Sequence, residues 1–505
     1  MKDTRKDIGK DILIVGAGLG GLFCGAILAQ EGYQVTVLDK HHTAGGGLHS
    51  FRRHGYNFDT GMHYVAGFEE GGALRKLCRY LGIFDKLHFA PLDPTAFDVL
   101  DVGSDGMQYG FPLGKEAFMD KMTGYFPRQA EALSRYMADL ESITAPVDLL
   151  HLRNAEQMTT YQSGMGLEPL GQFMDRHFDD ARLASVLLWN SGLYGGRRAS
   201  SPAYLHAIIS QLFIQGATRF APSAQHLADS LVAHIVAHGG SVRLQTEVVA
   251  ARMRDRQHIE GLLSRNGECF SAQYYISTIH PQISLSWFPQ ESFPKVFRQR
   301  IASQKHTDST FSLFTTMKPG SFPYLNSNRF YICDYADNAA AAVWEVEGPR
   351  SFVLFTPPSG REGDFARSIK ISAPISFEPF RKWDGSALGR RGAEYEDFKK
   401  QCEKSLLARV QKLFPGIEGQ IEHRFSASPL SYQYYSGSVD GANYGFAKDC
   451  NDLNFSRLLP RTKVPNFFFS GQNLNMHGIL GVPLSAVITC GEIIGLSALL
   501  AKINA

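Results

Sequence analysis

The sequence has no cysteine pair at metal-ligand or redox spacing: its seven cysteines (24, 78, 269, 333, 402, 450 and 490) are scattered and odd in number. That excludes a disulfide framework, a structural zinc site and the dithiol of a disulfide reductase. Neither sign of charge is in excess. With a net charge of +2 and acidic and basic residues interspersed, there is no electrostatic case for a nucleic-acid partner. HExxH, GxSxG and His/Cys clusters at ligand spacing are all missing, so no metal is expected and hydrolytic chemistry has no support. Repeats and low-complexity tracts are absent too. Long apolar runs are scarce: Val482 to Leu500 is broken by Pro483, Ser485, Thr489, Gly491 and Glu492, and reads as a buried helix, not a membrane span. The polar opening MKDTRKDIGK lacks the character of a signal or transit peptide, and the expectation is a cytoplasmic chain. Ser284 to Phe297, where aromatic and polar residues alternate, is a candidate for peripheral membrane contact.

What is present is a globular composition, 505 residues at 44% hydrophobic, enough for two sizeable cores. The 35 phenylalanines suit either a Phe-rich core or a large apolar cavity. The informative stretch is Asp11 to Asp39. Ile12-Leu13-Ile14-Val15 leads into Gly16-Ala17-Gly18-Leu19-Gly20-Gly21 and an Ala/Leu-rich helix, and the strand Gln34 to Leu38 ends at Asp39 and Lys40. Gly16 permits the tight turn, Gly18 lets the backbone approach a pyrophosphate, and Gly21 lets helix and strand pack closely; Asp39 is placed to accept from a ribose. The helix N-terminus then faces the phosphates.

Further along, Ala44 to Ser50 is a glycine-rich loop holding Gly45, Gly46 and Gly47, able to bring backbone amides to a ligand. Asp98 to Phe111 reads as a hairpin around Gly103-Ser-Asp-Gly106, and Lys115 to Gly216 as mostly helical. A β-rich return follows Leu227 to His238 and includes Val248. Residues 291 to 425 mix strands with a charged helix and carry no legible chemical motif. The last group has a strand, Asn466 to Ser470, a turn Gly471-Gln472-Asn473, and an approach Gly478 to Gly481 before a helix whose first turn would hold Pro483. Such a helix would direct its positive end at a ligand before it.

These residues carry a resemblance to the phytoene desaturase, carotenoid isomerase and retinol saturase group of FAD enzymes, most of all to its retinol saturase branch. The motifs are Gly16 to Leu22, Phe58-Asp59-Thr-Gly61-Met-His63-Tyr64, Leu193-Tyr194-Gly195 with Ser201 to His206, and Ser470 to Asn473 followed by His477 to Gly481. The resemblance implies an α/β fold: a Rossmann-like, glutathione-reductase-like FAD-binding domain (1–90, 224–290 and 455–505) with an inserted α+β substrate domain (91–223 and 291–454). It implies FAD held by Gly16, Gly18, Leu19, Gly20, Gly21, Asp39, Lys40, Gly45, Gly46, Gly47, Val248, Gly471, Gln472, Asn473, Gly481 and Val482. Three departures stand out. Gly47 replaces a basic residue common in relatives, Pro222-Ser223 replaces a Gly-Gly pair, and Asn473 replaces an Asp.

Hydrogenation or dehydrogenation of a conjugated chain needs hydride exchange at a flavin and a proton at the adjacent carbon. His63, Tyr64, Tyr194, His206 and His477 are the candidates for the protonic role, against packing roles in the core. Asp101 and Asp105 read as solvated turn residues, and Arg197-Arg198 as a surface charge pair in preference to a group that neutralises an acidic part of a substrate. A single GxGxxG leaves no dedicated nicotinamide domain, so the electron donor or acceptor is unassigned: a protein, a quinone, oxygen or a nicotinamide. The expectation is an FAD-dependent oxidoreductase acting on carbon–carbon double bonds of an apolar polyene or isoprenoid, saturation first. A desaturase, a redox-neutral isomerase, an amine oxidase and a non-catalytic flavin- or lipid-binding protein are the alternatives.

Overall fold

A computed structural model describes residues 11–153, 164–452, 458–474 and 476–505. In chain order the elements used below are β1 (Asp11–Val15), α1 (Leu19–Gln30), β2 (Gln34–Leu38), β3 (Ser50–Arg53), β4 (Tyr56–Asp59), β5 (Asp98–Val102) and β6 (Gln108–Phe111). Helices α2 (Ala130–Thr144), α3 (Ala203–Gln215) and α4 (Gln225–Ala237) precede β7 (Ser241–Arg243) and β8 (Tyr274–Ser277). Next come β9 (Ser309–Met317), β10 (Asn328–Ile332), β11 (Ser351–Phe355), β12 (Ser368–Ile375) and α5 (Ala393–Leu413). The chain ends with β13 (Ile421–Ala427), α6 (Pro429–Ser436), β14 (Phe467–Phe469), α7 (Gly478–Ile494) and α8 (Leu496–Ile503).

The apolar, β-branched β1 is buried on both faces, as a central parallel strand must be. It lies in a five-stranded sheet of order β14-β8-β1-β2-β7, whose pairings are all parallel. Helix α1 is buried almost all round because it packs against both α7 and α4. Each of its fully enclosed large apolar side chains contributes about 1.5–3 kcal/mol. This is the Rossmann-like half expected from the sequence.

A second sheet has the order β13-β9-β12-β11-β10-β5-β6. It is antiparallel throughout except where β10 runs parallel to β5. Strand alternation divides its residues. Phe311, Leu313, Ile369, Ile371 and Leu354 join a core with Leu406, Leu407 and Val410 of α5. The opposite face carries Phe314, Lys370 and Phe355 side by side in register, with Asn328 opposite Asp98 farther along. That face looks toward the dinucleotide-binding half, where Lys370 meets the loop after β4.

Three expectations about elements are corrected. Helix α7 starts at Gly478, so Pro483 lies inside it and removes the hydrogen bond owed to the Ile479 carbonyl. The Gly478–Gly481 stretch is helix and not an approach loop, because glycine at 481 lets the turn close on Met476, whose Cβ would lie 2.3 Å from an added Cβ. The run to Leu500 is two helices, broken at Gly495 with φ +90°. In the segment 284–297, Trp287, Phe288 and Phe293 are buried beneath the parallel sheet with Phe467. Those three rings face the core, while Phe297 is half-buried. No helix among the described residues is long and apolar enough to cross a membrane.

Candidate active site

Gly16 adopts φ +106°, and a Cβ on Gly21 would sit 1.7 Å from the Gly16 carbonyl oxygen. Turn and helix are thus locked together by the absence of side chains. No side chain caps α1 at Gly18 and its first turn holds no acidic residue, so its leading N–H groups, with Leu19 and Gly20 beside them, are available to an anion. Asp39 is pinned at the end of β2: its Oδ2 accepts from Ala17 N at 2.7 Å and its Oδ1 from His41 N at 2.8 Å. Each carboxylate oxygen has a second lone pair for a ribose hydroxyl.

The second glycine loop lies against the first. Gly45 N donates to Ala17 O at 2.7 Å, and a Cβ on Gly46 would be 3.0 Å from Gly18 Cα. Gly61 comes equally close to Gly47, whose carbonyl oxygen would be 2.9 Å from an added Cβ. Bare backbone from three separated segments therefore forms one floor, with Gly46, Gly47 and Gly61 exposed. On the C-terminal side, a Cβ on Gly20 would meet Gly471 Cα at 3.1 Å and Val482 Cγ1 at 3.2 Å. Asn473 is buried, with Oδ1 accepting from Phe446 N at 3.0 Å; Gln472 is half-buried. The side chain of the N-cap residue His477 does not cap α7, whose first turn holds no acidic residue. Lys40 Nζ donates to Tyr434 O at 3.2 Å, and His41 lies 6.0 and 5.8 Å from the Tyr434 and Tyr435 rings, so α6 lies over this edge. Val248 is buried at the start of its strand. Two uncapped helix N-termini flanking a glycine floor, with a fixed carboxylate at the end of β2, fit a dinucleotide.

Beside this floor lies a buried polar set. Lys370, central in an otherwise apolar stretch of sheet, places Nζ 2.7 Å from His63 Nε2 and donates to Thr60 O at 2.6 Å. His63 stacks on Phe355 with centroids 4.2 Å apart, and Lys370 Nζ lies 5.4 Å from the Phe314 ring centre. Asp59 is buried and accepts from Ser50 Oγ at 2.7 Å. Burial pulls Lys370 down to about 7, with the Asp59 charge acting against it. Burial raises Asp59 to about 6, opposed by the Ser50 hydrogen bond and by Lys370. Burial, then Lys370 and Arg219, hold His63 well below its ordinary value. Its imidazole is accordingly neutral.

Tyr64 follows on the same loop, but its hydroxyl donates to Asp98 Oδ2 at 3.0 Å. Asp98 also accepts from Trp189 Nε1 at 3.1 Å and Asn328 Nδ2 at 2.8 Å; Asn328 Oδ1 in turn accepts from buried Arg219 at 2.9 Å. Burial lifts Asp98 to about 7 against those hydrogen bonds. Tyr64 is therefore an anchor in a buried network, with a phenol held far above its ordinary range. His477 precedes α7, buried against Tyr444 with ring centroids 4.9 Å apart, and burial, then Lys448, lower it to about 3.

The structure does not bring Tyr194 and His206 to this site. Both are sealed in the helical core at 1% and 0% exposure, where His206 hydrogen-bonds Tyr136 at 2.6 Å and Tyr194 at 3.2 Å. Their polar atoms satisfy one another, as buried groups must. Asp101 is likewise no solvated turn residue; it is buried and paired with Arg329 at 2.5 Å. Arg197 pairs with Asp308 and Arg198 with Asp175 at the surface. The residue that sequence reading missed is Lys370. Ser-Ile-Lys-Ile-Ser alternates as a strand with a solvated polar face would, and nothing local reveals that residues 59–63 cover that face.

Residues 14–81 match the model of the NAD(P)-binding Rossmann-like domain. Over 96% of its length the chain is 25% identical to the all-trans-retinol 13,14-reductase of Rattus norvegicus, of which 85% is covered. It is 23% identical to prolycopene isomerase 2, chloroplastic, of an Oncidium hybrid cultivar, over 86% of this chain and 75% of that one. An oxidoreductase structure from Methanosarcina mazei shares the fold, with TM-score 0.66 and 12% identity over 94% of this chain and 98% of that one. Because the shared sequence extends far beyond the Rossmann unit, this protein is a relative of the all-trans-retinol 13,14-reductases and the prolycopene isomerases.

Proposed function

We propose that the chain is an FAD-dependent oxidoreductase that saturates a carbon–carbon double bond in a long apolar polyene or isoprenoid. The observation that carries this reading is the glycine floor between two uncapped helix N-termini with His63 beside it, in a chain related along its length to the retinol reductases. FAD would be held by 16–21, Asp39, 45–47 and 471–473, and when bound supplies two-electron hydride exchange. The cofactor unit comprises 1–90, 224–290 and 455–505, and the substrate unit 91–223 and 291–454.

The chain's own residues then do the rest. Asp39 would hold the adenosine end, the backbone of Gly18 and Gly46 would hold the pyrophosphate, and the N-terminus of α7 would favour negative charge on the group bound there. Phe355 stacked on His63 and Phe314 packed with Phe58 and Phe425 make the surroundings of His63 and Lys370 apolar, which suits a hydrocarbon substrate. Anaerobic incubation of photoreduced, FAD-loaded protein with retinoids and carotenoids, read by mass spectrometry, tests the reading. A gain of two hydrogens is expected; unchanged mass with a shifted retention time would replace saturation by isomerisation, the second reading, favoured by the likeness to prolycopene isomerase.

A further inference from the structure

We propose that Lys370 recharges His63, and that His63 is the residue that protonates the substrate carbon during double-bond reduction. The proposal rests on the saturating function above and names the proton path that such a reaction needs. Its ground is geometric. An ammonium with a 2.7 Å contact to Nε2 makes that nitrogen the acceptor, which puts the imidazole hydrogen on Nδ1. His63 keeps accessible surface while Lys370 behind it is buried. His63 follows by two residues Gly61, which abuts Gly47 of the floor, so of the two it is His63 that the chain ties to the floor.

The step balances. Hydride from the two-electron reductant forms a C–H bond at one alkene carbon while the π pair moves to its neighbour. That carbon takes the Nδ1 proton of His63; the Nε2 lone pair takes a proton from Lys370, leaving a neutral amine that solvent reprotonates. Two hydrogens are added, the reductant loses two electrons, and no other group changes oxidation state. A neutral imidazole alone is a poor acid, and the charged lysine behind it makes the transfer feasible. The charged and titratable groups around the pair are Asp59 on β4 and Arg219 after α3. Phe314 of β9 and Phe355 of β11 supply only ring faces. Asp59 sustains the ammonium and accepts from Ser50, whose residue lies in a surface groove with Gln225 and His226, a route by which the proton returns.

The plain alternative is that Lys370 only ties β12 to the Thr60 carbonyl. Two readouts separate these. In the FAD-loaded protein labelled with 13C at the lysine ε carbon, one NMR resonance, absent in Lys370→Met, should titrate near pH 7 and move lower in Asp59→Asn. A resonance titrating in the ordinary lysine range overturns the proposal whatever the substrate is. In turnover, Lys370→Met should slow double-bond reduction by about 100-fold or more with the flavin spectrum unchanged, and abolish the fall in rate above about pH 7. Lys370→Arg, which keeps the buried cation and the tie to Thr60 but is too basic to recharge His63 at neutral pH, should be equally slow if proton supply matters. Full activity in either variant, or an unaltered pH profile in Lys370→Met, overturns it. Failure to reduce any polyene, with the lysine still titrating near neutrality, would instead strike the function assigned above.

Discussion

At the residue scale the consequential groups are ionisable side chains that the fold has taken out of water. Lys370 is held at about 7 against its ordinary 10.5. Between these values the unfolded chain carries a proton that the folded chain has released, so the residue's contribution to stability grows as pH rises through that window. The stability of wild type relative to Lys370→Met, from denaturant melts, should climb between about pH 7 and pH 10; a flat difference would mean that the lysine ionises as if exposed. Asp98 holds three side-chain donors together. Replacing it with alanine orphans them and should cost about 3 kcal/mol, whereas Asp98→Asn, which still accepts, should cost less. Chemical denaturation of both variants checks the order. The sequence singled out His63, because a glycine motif runs beside it, but not its partner, because the 307-residue separation of His63 and Lys370 is bridged only by the finished fold.

At the element scale, what was legible was local. The strand, glycine turn, helix and second strand from Asp11 to Asp39 are fixed by contacts within 30 residues and by backbone chemistry that only glycine meets, so pattern and outcome agree. The α7 start was not legible, since glycines at 478 and 481 read as loop until Met476 is seen against them. The same sterics make a prediction. An alanine at Gly21 would place its Cβ 1.7 Å from the Gly16 oxygen, and the resulting separation of α1 from β1 should destabilise the protein by about 3 kcal/mol and abolish retention of flavin through purification. Normal flavin content in that variant would mean the turn is not where the cofactor is held.

On the scale of the whole molecule, one apolar core runs from α1 and α7 into the helices before residue 217, so the units share packing and are not beads on a linker. Ligand at the glycine floor should therefore be felt globally: FAD at a hundred times its dissociation constant should add about 2.7 kcal/mol of stability. Hydrogen exchange should slow most at 16–21, 45–47 and 478–482, and little in α5, which packs behind the second sheet. Equal protection everywhere, or none at those segments, would count against the assigned floor.

The edge strand β14 pairs with β8 through Phe467, Phe468 and Phe469, and α7, packed on α1, follows it. The Rossmann sheet begun at residue 11 thus waits for a strand at residue 467. On the ribosome, the β1-α1-β2 unit must emerge and idle, its apolar surfaces uncovered, until residues more than 400 positions downstream have been made. A truncation that spares every glycine near the start but stops before residue 467 would be expected to engage chaperones and accumulate as aggregate, so that messages cut short yield no half-active product.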